Sequence, residues 1–216
     1  MLHFDTSAIG AMEKIYRLNL INSVTGYKSA QLIGTKSESG KFNLAIFSSV
    51  IHLGSNPPLI GFILRPTKVP RHTYQNLKNN KTFTLNAITS VDISEAHHTS
   101  AKYPNDVSEF DQTQLEPEIK LNIQAPFVKG APIQIACQYE NEYRIKENDT
   151  ILIVGSIQHL FMTDKLVGLD GQISLGKGNI VAINGLDGYA LPKLLKRFGY
   201  ARPKKYYKKI LQKSLI

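Results

Sequence analysis

The chain has 216 residues, 42% hydrophobic and 20% charged, with one Cys and no Trp, a composition that excludes disordered, collagen-like and disulfide-stapled chains and fits one globular domain. Cys137 alone cannot form an intramolecular disulfide, no apolar run is long enough to span a bilayer, and no signal-peptide pattern opens the chain, so a cytoplasmic protein is expected. The net charge of +9 is concentrated: nine of the 26 basic residues fall within residues 193–216, which hold no acid, leaving 17 basic against 17 acidic residues elsewhere, so any polyanion binding must rest on the tail.

Residues 27–36 alternate in polarity and read as a strand. The polar stretch 37–41 supplies turn chemistry, and residues 42–51 read as the hairpin partner. Pro57-Pro58 blocks ladder donation before a third run, 59–64, which is apolar throughout and expected to be buried on both faces. Pro70 suits a first helical position, Tyr74, Leu77 and Lys78 follow at helical spacing, and Asn79-Asn80 is a stop signal. Residues 83–88 read as another strand, and Ser90 as the N-cap of a helix through His98. Residues 100–132 are loop-rich with one or two short elements, and 132–144 and 150–162 form a long hairpin around a polar turn. Beyond Pro192 the pattern predicts a short helix ending near Gly199 and a second from Pro203 that carries Tyr206, Tyr207, Ile210, Leu211 and Leu215 on one face. Five or six strands at irregular spacing, with few helices, predict a mainly β (α+β) fold: an antiparallel barrel with peripheral helices rather than alternating βαβ units. The expected organisation is one domain through residue 201 and a basic amphipathic helix over 202–216.

Several chemistries lack their residues. The six His never pair with Cys or carboxylates at zinc-ligand spacing, and His97 and His98 point to different faces of a helix, so no metal is expected. Gly176-Lys177-Gly178-Asn179 lacks the third glycine and the strand-to-helix context of a dinucleotide fold, and no nucleophile elbow is present. Asp92, Glu95, Asp106 and Glu109 read as a solvated acidic face, and Cys137, in an apolar strand, as an inert packed thiol. Tyr74, Tyr103 and Tyr189 suit either a barrel core or an aromatic ligand.

The positive signal lies between Asn43 and Asn86. Ser48 and Ser49 end a strand, and Arg65 and then Arg71-His72-Thr73 lead into a helix. Small hydroxylated residues and a helix start offer an anion close N–H and O–H donors, and Arg71 can grip a phosphate through two oxygens. The same residues also read as solvated cations and serines that merely end a strand.

The runs Asn43-Leu44-Ala45-Ile46-Phe47-Ser48-Ser49-Val50, Asn56-Pro57-Pro58-Leu59-Ile60-Gly61-Phe62, Arg71-His72-Thr73-Tyr74-Gln75-Asn76-Leu77 and Phe83-Thr84-Leu85-Asn86 resemble, in order and spacing, the flavin reductase-like family, which binds FMN on a split β-barrel. Ser100-Ala101-Lys102-Tyr103-Pro104, Glu109-Phe110, Ile153-Val154-Gly155 and Gly185-Leu186-Asp187-Gly188-Tyr189 resemble its longer, flavoredoxin-like branch. The resemblance implies a homodimer with FMN near the subunit interface. Carried over, Ser48 and Ser49 contact the ribityl-phosphate end, the backbone at Val50 and Ile51 faces the ring, and Arg71 and Thr73 hold the phosphate. Asn86 reaches a flavin carbonyl and Lys102 the cofactor. Asn43, Phe47, Arg65, His72, Ser100 and Ala101 complete the implied cofactor-binding set. His159, on the long strand, reads as a ring-lining residue or a structural histidine.

Hydride transfer between nicotinamide and flavin needs stacking, orientation and water exclusion rather than an acid–base pair, so no catalytic side chain is expected. The implied activity is an FMN-dependent reductase using NADH or NADPH and serving a downstream electron acceptor. The alternatives are an FMN electron carrier of flavoredoxin type with little nicotinamide activity, or a nucleic-acid or membrane-surface binder acting through the basic tail helix.

Overall fold

The structure, a computed structural model, describes residues 1–202. In chain order the elements are α1 (Thr6–Ala11), α2 (Lys14–Ser23), β1 (Lys28–Ser29), β2 (Gln31–Lys36), β3 (Phe42–Phe47), β4 (Ile51–Ser55), β5 (Pro58–Leu64), α3 (His72–Asn80), β6 (Thr82–Ala87), α4 (Ile93–His98), β7 (Pro117–Glu118), β8 (Phe127–Val128), β9 (Ile133–Ile145), β10 (Thr150–Met162), β11 (Ala182–Asn184) and β12 (Gly188–Ala190). Seven strands form an antiparallel sheet in the order β3-β2-β6-β9-β10-β5-β4, as the alternating patterns predict. Its two edges, β3 and β4, are consecutive in the chain, so the sheet curls until they face each other. Ser49, in the link between them, stitches the seam: its hydroxyl accepts from Ile63 N at 3.0 Å and donates to Ile63 O at 3.2 Å. The result is a split barrel with β1, β11 and β12 as a small side sheet.

The barrel interior is filled by Ile33, Phe62, Phe83, Leu85 and Ile153, with Leu77 entering from α3. Phe62 meets Phe47 and Phe83 edge-on, with centroids 5.2 and 5.6 Å apart, and each such side chain contributes about 1.5–3 kcal/mol by leaving water. Gly155 is required where β10 crosses Phe83, since a Cβ there would lie 2.6 Å from Phe83 Cζ. A second cluster, including Leu32, Leu44, Ile88 and Phe110, packs α4 and the side sheet against the outside of β2 and β3.

Four expectations are corrected. Residues 42–51 are not one strand: β3 ends at Phe47, and Ile51 opens β4, which changes partner from β2 to β5. Pro70 lies outside the helix; Arg71 is the N-cap, in an extended conformation with φ −124° and ψ 101°. Ser90 lies before the helix, its N–H going to Asn179 O at 3.0 Å; Asp92 stands at the N-cap, its carboxylate accepting from Thr89 Oγ1. Residues 192–199 form no helix: they are exposed, and a short isolated helix without a packing face does not hold in water. The pattern also gives no warning of α1 and α2, which start on the Asp5 and Glu13 carboxylates and bury no residue. The helix expected from Pro203, and with it the polyanion reading, lies outside the described residues.

Candidate functional site

α3 begins on Arg71 with no side-chain cap on its first N–H groups, so its start carries unpaired donors and the positive end of the helix dipole. Arg71 Nε is buried and has no hydrogen-bond partner among the described residues. A polar network fixes this helix start to the barrel. Asn43 Nδ2 donates to Thr73 Oγ1 at 3.2 Å and Thr35 Oγ1 at 3.3 Å, and Asn76 Nδ2 donates to Thr35 Oγ1 at 3.0 Å. All four side chains are buried. Asn43 and Thr73 therefore position the helix start from inside, while His72 lines a crevice shared with Lys41, Asn105 and Val107.

The turn after β3 lies at the other end of the same strand pair. Thr35 pairs with Asn43 and Gln31 with Phe47, so the two ends are separated by four residues, about 13 Å of strand. Phe47 packs on Phe62, Ser48, Ser49 and Val50 are half-buried, and Ser29 Oγ donates to Val50 O at 2.7 Å. Ile51 is exposed on the free edge of β4. The structure thus brings Asn43, His72 and Thr73 together at one end and Phe47 to Ile51 at the other.

The remaining predicted residues are dispersed. Asn86 is a correction: it is wholly buried, donating to Leu32 O and Thr84 Oγ1, both at 3.1 Å, and accepting from Val128 N at 2.9 Å. Its amide is consumed in joining β2, β6 and β8. Arg65 is exposed just past β5, and Ser100, Ala101 and Lys102 are exposed just past α4. His159 is exposed on β10, stacked on Phe161 with centroids 6.2 Å apart. Tyr74 donates to Glu142 at 2.9 Å, Tyr189 lies 3.0 Å from His97 Nδ1, and Tyr103 lies 2.5 Å from His98 Nε2.

Glu109 corrects the solvated acidic face. It is buried, and its Oε2 accepts from Leu44 N at 2.8 Å on the free edge of β3, covering a donor that would otherwise invite edge pairing. Burial pushes its carboxyl above the usual range against the pull of that bond. Burial likewise pushes the Cys137 thiol up to about 12, consistent with a packed, unreactive cysteine. Among the described residues no three His, Cys, Asp or Glu side chains cluster as metal ligands would.

The sequence reading missed a predominantly apolar cleft of about 290 Å³ at the Gln31 end of the barrel. Its walls come from residues 27–31, Ala87, Ile133, Leu175, residues 180–182 and Pro192, too widely separated for any local pattern to announce it.

An uncapped helix start beside a buried, unpartnered guanidinium nitrogen fits the phosphate of a nucleotide cofactor, which would satisfy both. The fold is that of a split-barrel protein. The chain belongs to the flavin reductase like domain family, which matches residues 28–170, a family of flavin-binding oxidoreductases. It is 41% identical to a candidate flavin reductase with split barrel domain from Shewanella frigidimarina NCIMB 400, with a TM-score of 0.90 over 93% of this chain and 100% of that one. Flavoredoxin of Desulfovibrio vulgaris (Miyazaki F) has the same fold, with a TM-score of 0.71 at 17% identity over 81% of this chain and 92% of that one. An uncharacterized protein of Aquifex aeolicus (strain VF5) is 27% identical over 108 residues, 49% of this chain and 55% of that protein.

Proposed function

We propose that this chain is an FMN-dependent reductase that takes hydride from NADH or NADPH and works as a homodimer. The observation that carries the reading is the orphaned Arg71 Nε at the uncapped start of α3, a cationic seat that a phosphate completes. Arg71 and the first N–H groups of α3 hold the phosphate, and the network of Asn43, Thr35 and Asn76 keeps Thr73 and the helix start in place. The Ser48–Val50 turn, pinned by Ser49 to β5 and by Ser29 at Val50, gives a rigid wall along the ligand. When bound, a flavin supplies the hydride and electron chemistry itself. What is asked of the protein is binding, orientation and exclusion of water.

The test is the visible spectrum of protein saturated with FMN and desalted, followed anaerobically on addition of NADH and then NADPH. Retained flavin bands that bleach with either nucleotide support the reductase, and the faster nucleotide names the donor. Bands that neither nucleotide bleaches replace it with an electron carrier of the flavoredoxin kind.

A further inference from the structure

Beyond β12 the chain leaves the fold. Pro192 lines the apolar cleft, and from there to Arg202 the backbone forms neither helix nor strand. This strap carries two kinds of side chain. Leu191, Leu194, Leu195 and Phe198 recur at i, i+3, i+4 and i+7, the spacing that places apolar groups on one side of a helix, and Lys193, Lys196 and Arg197 fall between them. Leu194, Leu195, Phe198 and Tyr200 are nonetheless 66–93% exposed, so the described fold gives their stripe nothing to pack on. One point of the strap is fixed: Arg197 Nη2 donates to Asp170 Oδ2 at 2.6 Å, holding it beside the turn closed by Gly171 N onto Gly168 O at 2.9 Å. Leu169, in that turn, is wholly exposed. Lys196 Nζ lies 4.8 Å from the centroid of the Phe198 ring, so cation and ring are presented together. Residues 193–216 contain no acid while the rest of the chain is balanced in charge, and this end of the molecule therefore attracts anions.

From these observations we infer that residues 191–202 dock the protein on an anionic lipid surface, where the stripe from Leu191 to Phe198 folds into the helix that water does not support. A short amphipathic helix fails in water for want of a packing face, and the boundary between headgroups and acyl chains supplies one. The leucines and Phe198 enter that boundary, and the lysine ammonium groups stay with the headgroup phosphates. The leucines favour lipid over nucleic acid: a single strand is held by stacking on planar rings and a duplex by contacts to phosphates and base edges, neither of which employs an aliphatic stripe. Docking belongs to the strap and is independent of the flavin reading.

The test is flotation of the full chain with vesicles of phosphatidylcholine, alone or mixed with phosphatidylglycerol, at about 0.1 and about 0.5 M NaCl. Docking predicts that the protein floats with the mixed vesicles only, and that the higher salt weakens binding. Two double variants at exposed positions, Leu194→Ser with Phe198→Ser and Lys193→Glu with Lys196→Glu, should each lose roughly tenfold or more in vesicle affinity at an unchanged melting temperature. The chain contains no Trp, so Phe198→Trp gives a single indole whose emission should shift to the blue on the mixed vesicles. A parent that does not float, either double variant floating as the parent does, or an indole that does not shift would overturn the inference. Binding of an oligonucleotide in place of vesicles, undiminished by Leu194→Ser with Phe198→Ser, would make this end a nucleic-acid contact. A parent that stays off vesicles, with a solution mass that falls in the same apolar variant, would make the strap a contact between subunits. Both results overturn lipid docking, and flavin retained or lost on desalting bears on neither.

Discussion

Glu109 shows how one buried carboxylate can be needed for structure and still carry a pH-dependent cost. Its Oε2 is the acceptor for Leu44 N, so Glu109→Ala is expected to destabilise the fold by about 1–3 kcal/mol by leaving a buried donor unpaired. Glu109→Gln keeps an acceptor and is expected to be at least as stable as the parent at neutral pH; urea midpoints of the three proteins check both statements. Because burial raises the folded pKa, the folded state binds this proton more tightly than the unfolded chain. Its contribution is therefore full below the unfolded pKa and is lost as pH rises through the raised folded one. Glu142 behaves oppositely. Burial pushes its carboxyl up, but hydrogen bonds from Tyr139 and Tyr74, and then Lys78, outweigh it and hold it below the usual range. That stabilisation is present above the unfolded pKa and is lost as pH falls through the folded one. Stability against pH should thus lose its falling limb in Glu109→Gln and its acid-side rise in Glu142→Gln.

Among the elements, α3 depends on what lies beneath it. Thr35 Oγ1 is the acceptor for both Asn43 and Asn76, so Thr35→Val should cost about 1–3 kcal/mol and weaken FMN binding as well, because the start of α3 loses its anchor. Thermal unfolding and an FMN titration on the same variant read the two effects. Gly155→Ala should destabilise by about 1–3 kcal/mol through overpacking against Phe83, with its Cβ at 2.6 Å. The strands were legible because alternation of apolar and polar side chains is imposed by the barrel wall itself: β9 and β10 match their patterns to within a residue. Arg71 and Thr73 stood out by type at a helix start. For Asn86, whose role at a flavin carbonyl is implied only by resemblance, an amide in a strand has the same donors whether it faces a ligand or a neighbouring strand, and only the fold shows Leu32, Thr84 and Val128 around it. The helices α1 and α2 were invisible for lack of a buried face.

For the whole molecule, the split barrel sets the start of α3 and the turn between β3 and β4 at opposite ends of the β2–β3 pair. A ligand that binds only the folded chain stabilises it by mass action, so FMN at about 100 times its dissociation constant should add about 2.7 kcal/mol and raise the melting temperature. The central claim is that the ligand is held by its phosphate at Arg71. The measurement that tests it most directly is a pair of titrations, FMN and riboflavin, on the parent protein and on Arg71→Ala. The account predicts that the parent prefers FMN and that Arg71→Ala loses about 1–3 kcal/mol of FMN affinity while its riboflavin affinity is unchanged. Equal binding of FMN and riboflavin by the parent, or an Arg71→Ala variant that holds FMN as tightly as the parent, would contradict it.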